Sequence, residues 1–242
     1  MCWSGDVIVM ASQGGRASLS SIISGHDPKW GPLAYTKTDE FPSHGVPIAS
    51  PDITGGIGFP GLEEIRKFVA EGGTFVTLGS AGVLPAESGI TRRVRVARSP
   101  DPLPGSVVTA RVRRRDHPIA YGYDDVTHLF RANLPEYRVG RYDERFVVMQ
   151  FGTKPPYPPD EEEAKGEESK EETKPIVLSG GYRNFERLEG TPAVLDVPVG
   201  KGHFVILAPS VTRRFQDHHD FPLLWNALVN WNDFPEPVAG GK

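Results

Sequence analysis

Cysteine is almost missing from this chain. The one residue, Cys2, stands near the start of 242 residues. A single thiol rules out an intrachain disulfide framework and any zinc site built on cysteines. Long apolar runs are missing too. No stretch approaches the roughly 18 residues of a membrane-spanning helix, so no membrane partner is expected. The opening "MCWSGDVIVMAS" has neither the basic start nor the long apolar middle of a signal peptide. A His-x-x-Glu pair is also missing: none of the seven histidines has Glu three residues later. A zinc peptidase centre needs two ligands on one local element with an open coordination position. Neither a metal site nor a cofactor is therefore expected.

Glycine (27) and proline (23) are abundant, which points to long and numerous loops. The formal net charge of −4 is uneven. Residues 160–174, "DEEEAKGEESKEETK", hold eight acids and three lysines, leaving the rest close to +1. The total charge thus names no acidic or basic partner.

The pattern along the chain alternates strand and helix. "DVIVMAS" reads as a short buried strand, and "TFVTLG" as another. Between them, "PGLEEIRKFVAEGG" has the clearest helical period. Leu62, Ile65, Phe68 and Val69 share one face, and Gly72-Gly73 ends it. From Ile90 to Gly152 the pattern turns β-like. "PAVLDVPVGKGHFVILAPS" reads as two strands, followed by the amphipathic helix "FPLLWNALVNW". Residues 153–175 are Pro-rich and then acidic, and are expected to form a disordered insertion between the neighbouring strands "RFVVMQFG" and "PIVLSGGY". Residues 235–242 are expected to be a flexible tail. The organisation is one domain spanning 1–242.

Three blocks then matter together: "DITGGIGFPGLEEIRKFVAEGGTFVTLGSAG", "DHPIAYGY" and "LEGTPAVLDVPVGKGHFVILAPSVTRRF…FPLLWNALVN". In their order and spacing they resemble the class I glutamine-amidotransferase-like domain that follows the peptidase domain in bacterial carboxypeptidase A-like zinc peptidases. The resemblance covers most of residues 6–232 outside the acidic insertion. It implies an α/β fold with a doubly wound, mostly parallel, flavodoxin-like sheet, additional β strands, and an N-terminal part that is incomplete. It also implies an exported bacterial parent, while the sequence itself leaves the compartment open. An incomplete sheet has an open edge. The expected partners are a zinc carboxypeptidase domain or further copies of the chain.

In that superfamily the strand-turn-helix elbow carries a cysteine nucleophile. Ser80 of "LGSAG" takes its place, between Gly79 and Gly82. A serine hydroxyl needs a general base. The positions where relatives carry histidine and glutamate read Ala81 after the elbow, and Ala208 and Ser210 around Pro209. The expectation is a helix-capping Ser80 and a non-catalytic accessory domain. The alternatives are a serine-dependent hydrolase or amidase using Ser80, and a small-ligand or anion binding module. The last would use the Gly79–Gly82 turn, Gly55 and Gly56 of "TGGIG", and Arg213 and Arg214 beyond the last strand.

Two further clusters are weaker. Asp217, His218, His219 and Asp220 are adjacent in sequence, so their side chains diverge and a solvent-facing approach to the helix is expected. "RRVRVAR" and "RVRRR" supply eight arginines but no aromatics, so a solvated face of paired strands is expected and no nucleic-acid partner.

Overall fold

The computed structural model describes residues 6–14, 18–46, 48–98, 104–157, 174–181 and 183–235. In chain order the strands are β1 (Val7–Met10), β2 (Thr74–Leu78), β3 (Val94–Ala97), β4 (Ser106–Val112), β5 (Val126–Arg131), β6 (Glu136–Val139), β7 (Val147–Phe151), β8 (Val177–Gly180), β9 (Pro192–Val199) and β10 (Gly202–Leu207). The α-helices are α1 (Leu19–Ser24), α2 (Gly58–Glu71), α3 (Val83–Glu87) and α4 (Phe221–Val229).

The chain is an α/β protein built on one large central sheet. Its order is β1-β2-β10-β9-β7-β4-β5, with β8 also paired to β4, and β3-β6 form a separate ribbon. Parallel pairing runs across β1, β2 and β10. The remaining strands join antiparallel, beginning at the β9-β10 hairpin. The parallel layer is thus narrow, and the additional strands expected from the β-like middle of the chain form the wider half of the sheet.

Winding on both faces is visible in the registers. Thr74 pairs with His203, and Phe75 with Phe204, so alternate residues face opposite sides. Thr74 donates its hydroxyl to the Trp231 carbonyl at 3.2 Å, which places the α4 end on that face. Phe75 and Phe204 meet edge to face, 5.5 Å apart, on the other. There α3 begins against Ile206, and α1 packs on both α2 and α3. β2 is buried along its whole length, as its unbroken run of apolar and threonine side chains requires of a strand covered on both sides.

Helix α2 matches the periodic stretch. Gly72, at φ 126°, ends it, and its N–H bonds back to the Phe68 and Val69 carbonyls. β1 is the last strand on its side of the sheet among the described residues. It carries no charged side chain and no proline, and Val9 is exposed.

Two expectations change, and a third falls largely outside the described residues. β7 and β8 do not pair with each other. Both pair with β4, β7 along Ala110–Val112 and β8 along Ser106–Val108, so they lie end to end. Residues 158–173 of the acidic insertion lie outside the described residues, as does the tail beyond Pro235. The described flanks of the insertion are anchored. Glu189 accepts hydrogen bonds from the Thr153 and Lys154 N–H groups, Tyr157 donates to the Val139 carbonyl, and Thr109 donates to the Pro175 carbonyl. The arginine-rich stretches fall in different sheets, β3 in the ribbon and β4 in the middle of the main sheet. Four of the eight side chains pair with acids: Arg93 with Asp143, Arg98 with Glu87, Arg113 with Glu144 and Arg115 with Asp125.

Candidate functional site

In a doubly wound sheet, ligands bind beyond the carboxyl ends of the strands where consecutive helices diverge to opposite faces. Here that point lies between β2, whose following helix covers the Phe75 face, and β10, followed by α4 on the opposite face. The residues at this place are Gly79 and Ser80 after β2, Ala208 and Pro209 after β10, and Ser12 and Gln13 after β1.

The chain leaves β2 through a sharp turn. Gly79 has φ 53°, the left-handed region that a side chain disfavours. A Cβ there would lie 3.0 Å from Ser12 Oγ and 3.1 Å from a Leu134 methyl. The residue at the left-handed angle of this elbow is therefore Gly79, which has no side chain. Ser80 follows inside the 3-10 turn Gly79–Gly82.

Ser80 is completely buried. Its Oγ accepts from the Gln13 N–H at 2.9 Å and shares a hydrogen bond with Ser12 Oγ at 3.0 Å. Among the described residues no histidine or carboxylate bonds to it. Ser80 does not cap the next helix as expected: the position before α3 is Gly82, with no side-chain cap. Instead it staples the loop after β1 to the turn after β2. Gly82 is needed for packing, since a Cβ there would stand 2.5 Å from Tyr137 Oη and 2.7 Å from an Ile206 methyl.

The crevice itself is filled by Arg131 at the end of β5, Leu134 of the β5-β6 connection and Tyr137 of β6. Tyr137 donates to the Gly79 carbonyl at 2.6 Å, and burial pushes its phenol above the ordinary range, so it stays a donor. Arg131, 1% exposed, donates to the Leu134 and Pro135 carbonyls at 3.0 and 2.9 Å and reaches the Ala208 carbonyl at 3.5 Å. Its guanidinium lies over the Phe151 ring. None of these three plugging residues stands out in the sequence.

The other candidates lie elsewhere in function or place. Gly56 packs on α1: a Cβ would meet the Ile23 carbonyl oxygen at 2.3 Å, and one on Gly25 would meet the Gly55 backbone equally closely. Close backbone approach accounts for "TGGIG". Arg213 lies over the Phe130 ring, 4.9 Å from its centroid. Arg214 and Phe215 both have positive φ, at 49° and 53°, an unusual pair for side-chain-bearing residues. The stretch 217–220 is not all solvent-facing. Asp220 is 1% exposed, and His219 stacks on His128. A cavity of about 120 Å³ lined by Arg113, Arg138, Glu144 and Tyr157 shares no residue with the elbow.

One polar cluster is invisible in the spacing of the sequence. Asp196 of β9 is fully buried on the α4 face. His117 Nε2 donates to its Oδ2 at 3.0 Å, and His203 Nδ1 to its Oδ1 at 2.7 Å. The His117 tautomer follows from its other nitrogen, which accepts the Ile119 N–H at 3.3 Å. Arg114 Nη1 approaches to 3.8 Å, while its Nη2 donates to the Pro235 carbonyl. The Phe234 ring covers both imidazoles. Burial alone would raise the Asp196 carboxyl, but the two histidine hydrogen bonds outweigh it and hold it below the ordinary range. The available signals were an acid inside the apolar run "AVLDVPV" and a histidine fixed before proline in "DHPI". Among the described residues no group of three or more His, Cys, Asp or Glu gathers as a metal site.

No family model matches the chain, and no curated protein matches it. Among solved structures it is similar to a cytoplasmic protein of Salmonella typhimurium LT2, with TM-score 0.47 and 13% identity over 93% of this chain and 71% of that one. A second cytoplasmic protein of Salmonella typhimurium gives TM-score 0.44 and 14% identity over 93% and 70%. A ThuA-like protein from Parabacteroides merdae gives TM-score 0.40 and 14% identity over 75% and 72%.

Proposed function

We propose that this chain is a non-catalytic amidotransferase-like accessory domain that works beside a zinc metallocarboxypeptidase. The observation that carries the non-catalytic part is the elbow. Its left-handed position is Gly79, which offers no nucleophile, and Ser80 is buried and bonded to Ser12 and the Gln13 N–H. An elbow nucleophile must instead be exposed, beside a base and beneath an open crevice. Arg131, Leu134 and Tyr137 occupy the place where a substrate would enter. The peptidase association rests on the three resembling sequence blocks.

The test is covalent. Purified chain treated with a fluorophosphonate probe is expected to show no label at Ser80, and Ser80→Ala should leave any esterase background unchanged. Stoichiometric labelling abolished by Ser80→Ala would establish the serine hydrolase instead.

The accessory role needs a docking surface, and β1 supplies a free edge. Its outer backbone groups are unpaired among the described residues, and nothing on the strand blunts strand addition. Trp225 and Val229 are exposed on α4. Light scattering at micromolar concentration is expected to show self-association of the isolated chain. A dilute, long-lived monomer would count against the edge as a docking site.

A further inference from the structure

We propose that the cavity walled by Arg113, Arg138 and Glu144 is a binding site for a small zwitterion, an α-amino acid with a short apolar side chain.

The cavity lies away from the elbow, where β6, β7 and the start of β9 come together. Its volume is about 120 Å³. An apolar cavity of about 150 Å³ accepts benzene, so a ligand of roughly five or six non-hydrogen atoms fits here. The arginines on its wall are held from behind. Arg113 Nη1 donates to Gln150 Oε1 at 2.7 Å. Gln150 is 1% exposed and itself donates to the Lys154 carbonyl at 2.7 Å. Arg138 Nη2 donates to Glu136 Oε2 at 3.0 Å and to the Arg187 carbonyl at 2.6 Å, and Glu136 is 2% exposed. The opposite wall, Pro156 and Tyr157, is fixed as well. A Cβ on Gly190 would lie 2.6 Å from Pro156 Cα, so only glycine lets the two segments close. Tyr157 donates its hydroxyl to the Val139 carbonyl at 2.7 Å. These contacts shape the site before any ligand arrives, which lowers the cost of binding.

Hydrogen-bonding capacity is left over in both senses. Both side-chain bonds of Arg138 leave from Nη2, so its Nη1 has no acceptor among the described residues. Glu144 Oε2 takes one bond, from Arg113 Nη2 at 3.3 Å. Glu144 Oε1 is buried and has no donor among the described residues. A buried acceptor without a donor is costly unless a water, an ion or a ligand supplies one.

The charges then select the ligand. The wall carries two guanidinium groups and one carboxylate. A simple anion meets the Glu144 charge, and a simple amine meets two guanidinium groups. A zwitterion is attracted at both ends, with its carboxylate toward Arg138 and its ammonium toward Glu144. Val139, Val147 and Pro192 give a short side chain an apolar surface. The site shares no residue with the elbow, so it stands independently of whether Ser80 is inert.

Amide NMR titrations of the whole chain with alanine, propanoate and ethylamine test this. Propanoate is alanine without its amine, and ethylamine is alanine without its carboxylate. Alanine is expected to shift the Val139, Val147 and Gly190 amides saturably and to leave those of β1 and β2 unmoved. Propanoate and ethylamine should each bind about tenfold more weakly or worse, the loss of one charge-assisted hydrogen bond. Glu144→Gln should weaken alanine and tighten propanoate, so that the two converge. Arg138→Gln should weaken alanine and propanoate together; should that variant fail to fold, Glu144→Gln decides. No saturable shift at these amides, equal affinity for alanine and propanoate, or an alanine preference that survives Glu144→Gln would overturn the site.

Discussion

Asp196→Ala is expected to cost the fold about 3–5 kcal/mol, the penalty for breaking a buried charged pair by removing one partner. Two donors lose their acceptor at once, and a guanidinium loses a nearby carboxylate. His117 Nε2–H and His203 Nδ1–H would face a cavity, and Arg114 Nη1, already without a hydrogen bond among the described residues, would lose the carboxylate 3.8 Å away. The three elements these side chains belong to are the "DHPI" turn, β9 and β10, so the loss spreads across the α4 face. Urea unfolding at pH 7 reads it directly. Should the alanine variant fail to fold, Asp196→Asn is the second test. It keeps the volume but turns one oxygen into a donor facing a donor, at a cost of about 1–3 kcal/mol. The wild type also has an acid limb from this group. Its carboxyl is lower folded than unfolded, so the stabilisation is whole above about pH 4 and is lost as pH falls through the folded value. Asp196→Asn should lack that limb. Variants within 0.5 kcal/mol of wild type would show that the cluster holds nothing.

What was legible in the sequence followed from local periodicity. The 3.6-residue apolar period of Leu62, Ile65, Phe68 and Val69, closed by two glycines, is a property of one stretch, and α2 appears where it lies. The "VGKG" turn between two apolar runs likewise forms the β9-β10 hairpin. The cluster around Asp196 was not legible, because His117 is 79 positions away and is brought there by sheet order alone. The elbow was half legible. A strand running into small residues marks the turn, yet only the backbone angle shows that Gly79 and not Ser80 takes its left-handed position. The plug was hidden for a third reason. Leu134 and Tyr137 are ordinary apolar residues whose role depends on the β5-β6 connection crossing the end of β2. "DHHD" misled because adjacency in sequence says nothing of depth: Asp220 points inward while its neighbours stay near solvent.

That inward acid sets the second large effect. Asp220→Asn is expected to stabilise the protein at pH 8 by about 2–4 kcal/mol, at roughly 1.4 kcal/mol per pKa unit. Burial drives the Asp220 carboxyl up to about 7, with the Asp217 charge adding to it and the Phe130 N–H opposing. The sign follows from proton counts. Between about pH 4 and about pH 7 the folded state holds a proton that the unfolded state has released. Wild-type stability therefore falls as pH rises through that window and levels off above it. Asparagine removes the ionisation and keeps an oxygen for the Phe130 N–H, so its curve should be flat there and meet the wild type near pH 4.5. Thermal or urea unfolding of both proteins across pH 4.5–8 gives the comparison. Two parallel curves would mean that Asp220 ionises without penalty. Asp217→Asn separates the causes: it removes only the neighbouring charge, so it should recover a small part of the gain, with burial accounting for the rest.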